Sequence, residues 1–101
     1  DLDVAKVVDA ISGGAAGSWQ LTNLGPRILQ DDFAPGFMVR LQQKDLKLVL
    51  AAANDVKLAL PGVSLAHQYF NIVERLGGAD EGTQALIKAY ESQAGKKARA
   101  T

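Results

Sequence analysis

The chain has 101 residues, 48% of them hydrophobic, and its 11 basic residues balance 11 acidic ones. This length suits one domain with a single modest core, and a net charge of zero provides no field to attract nucleic acid or an anionic membrane. The absence of cysteine excludes disulfides and thiolate metal sites, and it fits a reducing, cytoplasmic location. No apolar run reaches the roughly 20 residues that span a bilayer, and no secretory signal opens the sequence, so we expect no membrane partner.

The two ends of the sequence carry separate expectations. The chain starts at Asp1 instead of a methionine, which suggests processing or a piece of a longer protein. The closing segment GKKARAT contains Lys96, Lys97 and Arg99 among small residues. We expect a helical domain over residues 1–94 and a flexible, solvated basic tail over residues 95–101.

Helical periodicity begins almost at once. An i, i+3, i+4, i+7 pattern predicts a first helix, with Asp3 as its N-cap and Gly13-Gly14 as its end; its apolar positions are Val4, Val7, Val8 and Ile11. A second helix is predicted from Ser18, with apolar positions Leu21, Leu24, Ile28 and Leu29. Pro26 lies inside this second pattern and should kink or divide the helix.

Three more helices follow a loop predicted for QDDFAPG, residues 30–36. The longest periodic stretch runs from Phe37 to about Val56, and we place one set of apolar residues on its buried face: Met38, Leu41, Leu48, Val49 and Ala52. After LALPG, a fourth helix bears Val63, Ala66, Phe70 and Val73 and ends at Gly77-Gly78. Asp80 is placed to cap a fifth helix that bears Leu86, Ile87 and Tyr90. With no alternating segment, the pattern predicts an all-α bundle of about five helices.

The segment ISGGAAGSW, residues 11–19, contains three glycines and could therefore be a phosphate-binding loop. Phosphate-binding glycines follow a strand and open a helix, whereas Gly13 and Gly14 follow a helix, and no Walker lysine follows Gly17. A phosphate site is therefore excluded. Trp19 then either fills the core, as the usual burial of indole favours, or forms the wall of a pocket.

One charge falls in an unexpected place. Asp45 lies in the middle of the predicted apolar face of the third helix, with Lys44 at its border, while Arg40, Gln43 and Lys47 are predicted to face away. Because a buried carboxylate costs several kcal/mol unless it is paired, Asp45 needs a partner. One alternative is an N-cap or an ion pair within the bundle, with Arg27 or Arg75 as the partner. The other is a cleft that another domain closes over Lys44 and Asp45.

No catalytic or metal-binding set emerges. His67 is the one histidine and has no acidic or histidine partner at metal-ligand spacing, so we expect a satisfied histidine in or beside the core. The serines at 12, 18 and 64 lack a histidine placed to make any of them a nucleophile.

Most of the chain resembles the C-terminal helical domain of the β-hydroxyacid dehydrogenases. The resemblance is carried by four segments: ISGGAAGSWQLTNLGPRIL, DDFAPGFMVRLQQKDLKLVLAAA, LPGVSLAHQYFNIV and GGADEGTQALIKAYE. The resemblance implies the all-α fold of the C-terminal domain of 6-phosphogluconate dehydrogenase-like enzymes. It also implies hydride transfer between NAD or NADP and a short 3-hydroxy acid or its semialdehyde. Of the family's K-D-L-G-x-A-x-D box, Lys44, Asp45 and Leu46 match, whereas Lys47, Val49 and Ala51 depart.

The same resemblance implies roles for individual residues. Lys44 would lie beside the nicotinamide end of the cofactor, with Asp45 helping to hold it and Phe37 packing near the cofactor. Trp19 would line the substrate pocket together with its neighbours Ser18 and Gly17.

The resemblance also indicates what this chain lacks. The family's Rossmann fingerprint, its substrate loop and the motif with its catalytic lysine all lie upstream of the matching segment. We therefore expect the cleft-closing part of a dehydrogenase that is inactive by itself, and a homo-oligomer, because a missing partner helix leaves an apolar face exposed. The alternative is a stand-alone helical module for oligomerisation or partner binding.

Overall fold

The computed structural model describes residues 2–98, and within that range the chain is helical with no strand. The helices are α1 (Val4–Ser12), α2 (Trp19–Leu29), α3 (Val39–Asp55), α4 (Pro61–Arg75) and α5 (Ile87–Ala94), with a 3₁₀ turn at Thr83–Leu86. The predicted all-α class with five helices is confirmed. Arg99, which we assigned to the basic tail, lies outside the described residues.

Most predicted helix ends are confirmed by their hydrogen bonds. The Asp3 carboxylate accepts from the Lys6 backbone N–H at 3.2 Å, and the Ser18 hydroxyl accepts from the Leu21 N–H at 3.0 Å, as N-caps do. Gly77 ends α4 with φ +92°, a conformation that suits glycine because it has no Cβ.

One expectation about helix ends is wrong, and another is wrong in part. The helix α2 continues through Pro26, so the expected division is absent, while a kink at Pro26 stays a prediction. The carbonyl that loses its intrahelical donor belongs to Thr22, an exposed residue. Asp80 caps no helix: its carboxylate accepts from Arg40 Nε at 2.7 Å, and Gly82 precedes the 3₁₀ turn that leads into α5.

The core lies where α3, α4, the 3₁₀ turn and α5 meet. Its buried residues are Phe33, Val39, Phe70, Val73, Ala85 and Ala89. Helix α1 has no buried residue and packs on α2, where Gly25 lies against the side chain of Val8. The chain thus forms a core of three helices and one turn, extended by an α1–α2 hairpin.

The face of α3 that enters this core is not the predicted one. The buried positions are Val39, Gln43 and Ala53, and Leu46 packs against the core. Gln43 was expected to face away, yet only 1% of its surface is accessible. Of the predicted apolar face, Met38 is half-buried, and the other four residues are exposed: Leu41, Leu48, Val49 and Ala52. The sequence of α3 contains two apolar faces, and periodicity alone does not tell which of them meets the core.

Candidate functional site

The exposed apolar face of α3 carries Asp45 at its centre. We call this surface the outer stripe and define it by Leu41, Asp45, Leu48, Val49 and Ala52. Leu48 is 61% and Val49 45% exposed, so the Asp45 carboxylate lies in water and incurs no burial cost in this chain. The expected ion pair within the bundle is wrong: Arg27 binds Asp32 instead, at 3.0 Å, and no described residue forms an ion pair with Asp45.

Lys44 lies on the edge of α3 between the outer stripe and the core. It is exposed and lines a shallow depression of about 390 Å³ together with Arg40, Gln43, Lys47, Leu48 and Glu74. Neither Lys44 nor Lys47 forms an ion pair with a described residue. The ammonium group of Lys44 is therefore available to an anionic ligand.

A network of hydrogen bonds around the buried Gln43 fixes the residue that precedes Lys44. Gln43 Nε2 donates to Asn71 Oδ1 at 2.9 Å and to the His67 carbonyl at 3.2 Å. Gln43 Oε1 then accepts from His67 Nδ1 at 2.9 Å, which assigns the ring proton to Nδ1. This confirms His67 as a satisfied histidine, and the three hydrogen bonds tie α3 to α4 at the residue that precedes Lys44.

A second set of hydrogen bonds orders the loop before α3. The backbone of Gly82 donates to the Phe33 carbonyl at 2.8 Å, and that of Thr83 to the Phe37 carbonyl at 3.0 Å. The Gln84 side chain, itself buried, donates to the carbonyls of Asp32 and Ala34 at 3.2 and 3.1 Å. The loop is thereby tied to the 3₁₀ turn, and it presents Phe37, 43% exposed, at the start of α3.

The same loop contains a carboxyl group, that of Asp32, whose pKa is lowered by its hydrogen bonds. The Arg27 side chain donates to Asp32 at 3.0 Å, and the backbone N–H of Ala34 donates to the same carboxylate at 3.1 Å. These two hydrogen bonds, that of Arg27 first, lower the pKa of Asp32 from its ordinary value of 3.8, because both favour the ionised form.

The predicted substrate residues lie at the turn between α1 and α2. A Cβ on Gly17 would approach the Ser12 carbonyl oxygen to 2.5 Å, so this glycine is required by the turn itself. The Ser18 hydroxyl already caps α2. Trp19 is 69% exposed, and its placement as a core residue, which we favoured, is therefore wrong. Of the three, the structure gives Gly17 and Ser18 structural roles and leaves the Trp19 ring in solvent.

Ser18 borders a different depression from that of Lys44, whereas Gly17 and Trp19 line neither of the two. An apolar groove of about 500 Å³ runs between α2, the 3₁₀ turn and α5, with Ser18 at its edge; its apolar lining includes Leu21, Leu24, Ile28, Phe70, Ile87 and Tyr90. Phe37, Lys44 and Asp45 do not line it. The chain alone therefore does not bring the predicted cofactor and substrate residues into one pocket.

Sequence reasoning missed the two buried glutamines, Gln43 and Gln84. The signal for Gln43 was present, since it lies four residues after Val39 and three before Leu46, on the same helical face. The signal for Gln84 was weaker, because it lies in a 3₁₀ turn and its partners are backbone carbonyls some 50 residues earlier in the chain.

Comparison with known proteins identifies the family. Residues 1–90 match the family described as NAD-binding of NADP-dependent 3-hydroxyisobutyrate dehydrogenase. The chain belongs to the β-hydroxyacid dehydrogenase family. This confirms the resemblance inferred from the sequence, and the family's description confirms NAD(P) as the cofactor class.

Individual relatives agree with that assignment. The chain is 55% identical over 84 residues to an uncharacterized oxidoreductase of Synechocystis, covering 83% of this chain and 28% of the relative. It is 48% identical over 90 residues to probable 3-hydroxyisobutyrate dehydrogenase-like 1, mitochondrial, of Arabidopsis thaliana, covering 89% and 27%. It is 37% identical over 95 residues to 2-hydroxy-3-oxopropionate reductase of Escherichia coli, covering 94% and 32%. The chain thus spans about a quarter to a third of the length of these relatives.

The residues present fit one side of a dinucleotide site. A dinucleotide offers phosphate oxygens and flat rings, and α3 presents unpaired lysines beside an exposed apolar stripe, which suit those two chemistries. The described residues hold no group of three histidine, cysteine, aspartate or glutamate side chains arranged for a metal ion. None of their helices has the length and apolar character needed to cross a membrane.

Proposed function

We propose that this chain is the cleft-closing C-terminal part of an NAD(P)-dependent oxidoreductase that acts on short 3-hydroxy acids or their semialdehydes. The observation that carries the proposal is the outer stripe. This apolar face is exposed, although the opposite face of α3 is buried in the core, and it has an unpaired carboxylate at its centre and Lys44 at its border. Apolar surface arranged in this way is typical of a face that another body covers. The domain limits 1–94, the homo-oligomer and the cytoplasmic location remain predictions.

Within that proposal, each predicted site residue has a task. Lys44 binds the nicotinamide end of the cofactor through its free ammonium group, and Asp45 lies beside it in the cleft, where it helps to hold that lysine. Phe37 packs against the cofactor from the ordered loop before α3, and Trp19 lines the substrate pocket, with Ser18 and Gly17 shaping the turn below it. When bound, NAD(P) supplies or accepts the hydride.

The names of the relatives support the substrate class. One relative is named for 3-hydroxyisobutyrate and another for 2-hydroxy-3-oxopropionate, and each name denotes a short acid with an oxygen function at C3. The chain itself offers no lysine that matches the family's catalytic one, and a general acid–base group has to lie within hydrogen-bond reach of the reacting oxygen. We therefore propose that the 101 residues have no turnover alone.

The first test is the intact mass of the native polypeptide and the sequence preceding Asp1. A chain of roughly 300 residues with an upstream glycine fingerprint is expected, since that length suits two domains. A native polypeptide that starts at Asp1 would refute the cleft-closing role.

The second test is Lys44→Ala in the complete polypeptide, with Lys6→Ala as the control. Lys6 is an exposed lysine on α1, so its loss removes the same charge far from the outer stripe. Loss of a charged hydrogen bond to the cofactor should lower kcat/KM by about tenfold to a hundredfold, whereas Lys6→Ala should stay within about twofold. Equal, mild effects of the two substitutions in steady-state kinetics would refute the cofactor role of Lys44.

A second candidate function is a stand-alone oligomerisation module, and the apolar groove between α2 and α5 favours it. Such a module would form a dimer or larger assembly at the length of 101 residues and would keep that assembly when Lys44 is replaced. Light scattering on the 101-residue chain and on its Lys44→Ala variant measures both properties.

A further inference from the structure

Lys47 continues the basic edge of α3 that Lys44 begins. Arg40, Lys44 and Lys47 are spaced by four and three residues, which places them along one side of the helix. All three line the same depression. At a rise of 1.5 Å per residue, Lys47 lies about 4.5 Å further along the helix axis than Lys44, close enough for both ammonium groups to reach one multi-oxygen anion.

Of the three cationic side chains at this edge of α3, only that of Arg40 has an ion-pair partner among the described residues. The Arg40 guanidinium is held by Asp80 at 2.7 Å, and Glu74 lines the depression without an ion pair to either lysine. Two like charges one turn apart repel each other. An anion bound between Lys44 and Lys47 would remove that repulsion and gain two charge-assisted hydrogen bonds.

The chemistry of the pair indicates the kind of anion. A compact lysine ammonium acts as a point charge toward phosphate, whereas planar bidentate binding of a carboxylate is typical of arginine. Arg40, the guanidinium of this edge, is already engaged by Asp80, so the available groups are the two lysines.

We propose that Lys47 acts with Lys44 to bind a phosphate group of the dinucleotide, and this rests on the cofactor role of Lys44 proposed above. The phosphate is in the diphosphate bridge, which NAD and NADP share, because the bridge is the phosphate group that adjoins the nicotinamide end assigned to Lys44. The family's K-D-L-G-x-A-x-D box has glycine where this chain has Lys47. We therefore expect this contact only in chains that carry a cationic residue at this position.

The test is a titration of the 101-residue chain with sodium pyrophosphate, followed by the amide signals in ¹H–¹⁵N NMR spectra. Sodium chloride at equal ionic strength measures general screening. Saturable shifts centred on residues 40–48 are expected for wild type. Lys47→Ala should raise the dissociation constant by about two- to fivefold, the range of one exposed ion pair, and Lys6→Ala should leave it unchanged.

Three results would overturn the proposal: pyrophosphate shifts that chloride reproduces, equal dissociation constants for Lys47→Ala and Lys6→Ala, or tighter binding of adenosine 2′-monophosphate than of pyrophosphate. The nucleotide is titrated in parallel because its 2′-phosphate represents the one that NADP carries at the adenosine end. The titration needs no turnover. An inactive complete polypeptide with an intact pyrophosphate site would therefore refute the dehydrogenase function alone, and the reverse result would refute the phosphate site alone.

Discussion

Two leucines of α3, two residues apart, lie on opposite faces of the helix, Leu46 on the core face and Leu48 on the outer stripe. Leu46 packs against the core, whereas Leu48 is 61% exposed. Leu→Ala removes the same atoms at both positions. It costs about 2–5 kcal/mol where the side chain is fully buried, and we expect about 1–2 kcal/mol of unfolding free energy at half-buried Leu46. At Leu48 most of the apolar surface is already in water, and alanine has the higher helix propensity, so we expect a change within about 0.5 kcal/mol.

The assay is urea unfolding of the 101-residue chain, followed by circular dichroism at 222 nm. Thermal unfolding of the same variants gives a second readout, because a difference of about 1 kcal/mol shifts the Tm of a domain of this size by roughly 4–8 °C, which is well resolved. Measurements at several protein concentrations separate folding from association, since a covered outer stripe would make the effect of Leu48→Ala depend on concentration. Equal losses at both positions, or a larger loss at Leu48, would refute the assignment of the two faces.

Two further predictions concern the loop before α3 and the turn before α2. Because the pKa of Asp32 is lowered in the folded state, its contribution to stability is fully present above the ordinary value of 3.8 and is lost as pH falls through the lower folded pKa. Asp32→Asn should therefore weaken the chain at neutral pH and flatten the acid limb of its stability profile; an unchanged acid limb in pH-dependent urea unfolding would contradict this. Gly17→Ala places a methyl group 2.5 Å from the Ser12 carbonyl oxygen, and we expect it to lower the free energy of unfolding by about 1–3 kcal/mol. The control is Gly36→Ala, since Gly36 is exposed with free space around it and should accept alanine without such a loss. Thermal unfolding of the two alanine variants makes that comparison.

The helices and most of their ends were predictable because they depend on local chemistry. The cap at Asp3, the cap at Ser18 and the glycine at the end of α4 each act within a few residues of their position. Asp80 was misassigned because its actual partner, Arg40, lies 40 residues away. Local sequence does not contain that information.

The site was harder to predict than the fold for a related reason. In α3, Val39, Gln43 and Leu46 form one face, and Leu41, Leu48 and Val49 form another. With Leu50, which also lies on the first face, each face contains three large apolar residues around one polar or charged residue, so periodicity alone does not choose between them. The first face meets the core because Gln43 finds three hydrogen bonds on α4, which offset the cost of burying its amide. A polar residue that gains such partners is invisible to a hydrophobic pattern.

The charge of Asp45 helps to decide what covers the outer stripe. A homodimer formed through this stripe would have a two-fold axis, and each surface patch would meet its own copy. Because Asp45 lies at the centre of the stripe, the two copies would bring their carboxylates together while removing both from water, which is unfavourable. A different body with cationic or hydrogen-bonding groups avoids that repulsion. The apolar groove between α2 and α5 has no aspartate or glutamate in its lining. The outer stripe is therefore better suited to a second domain, and the groove to self-association.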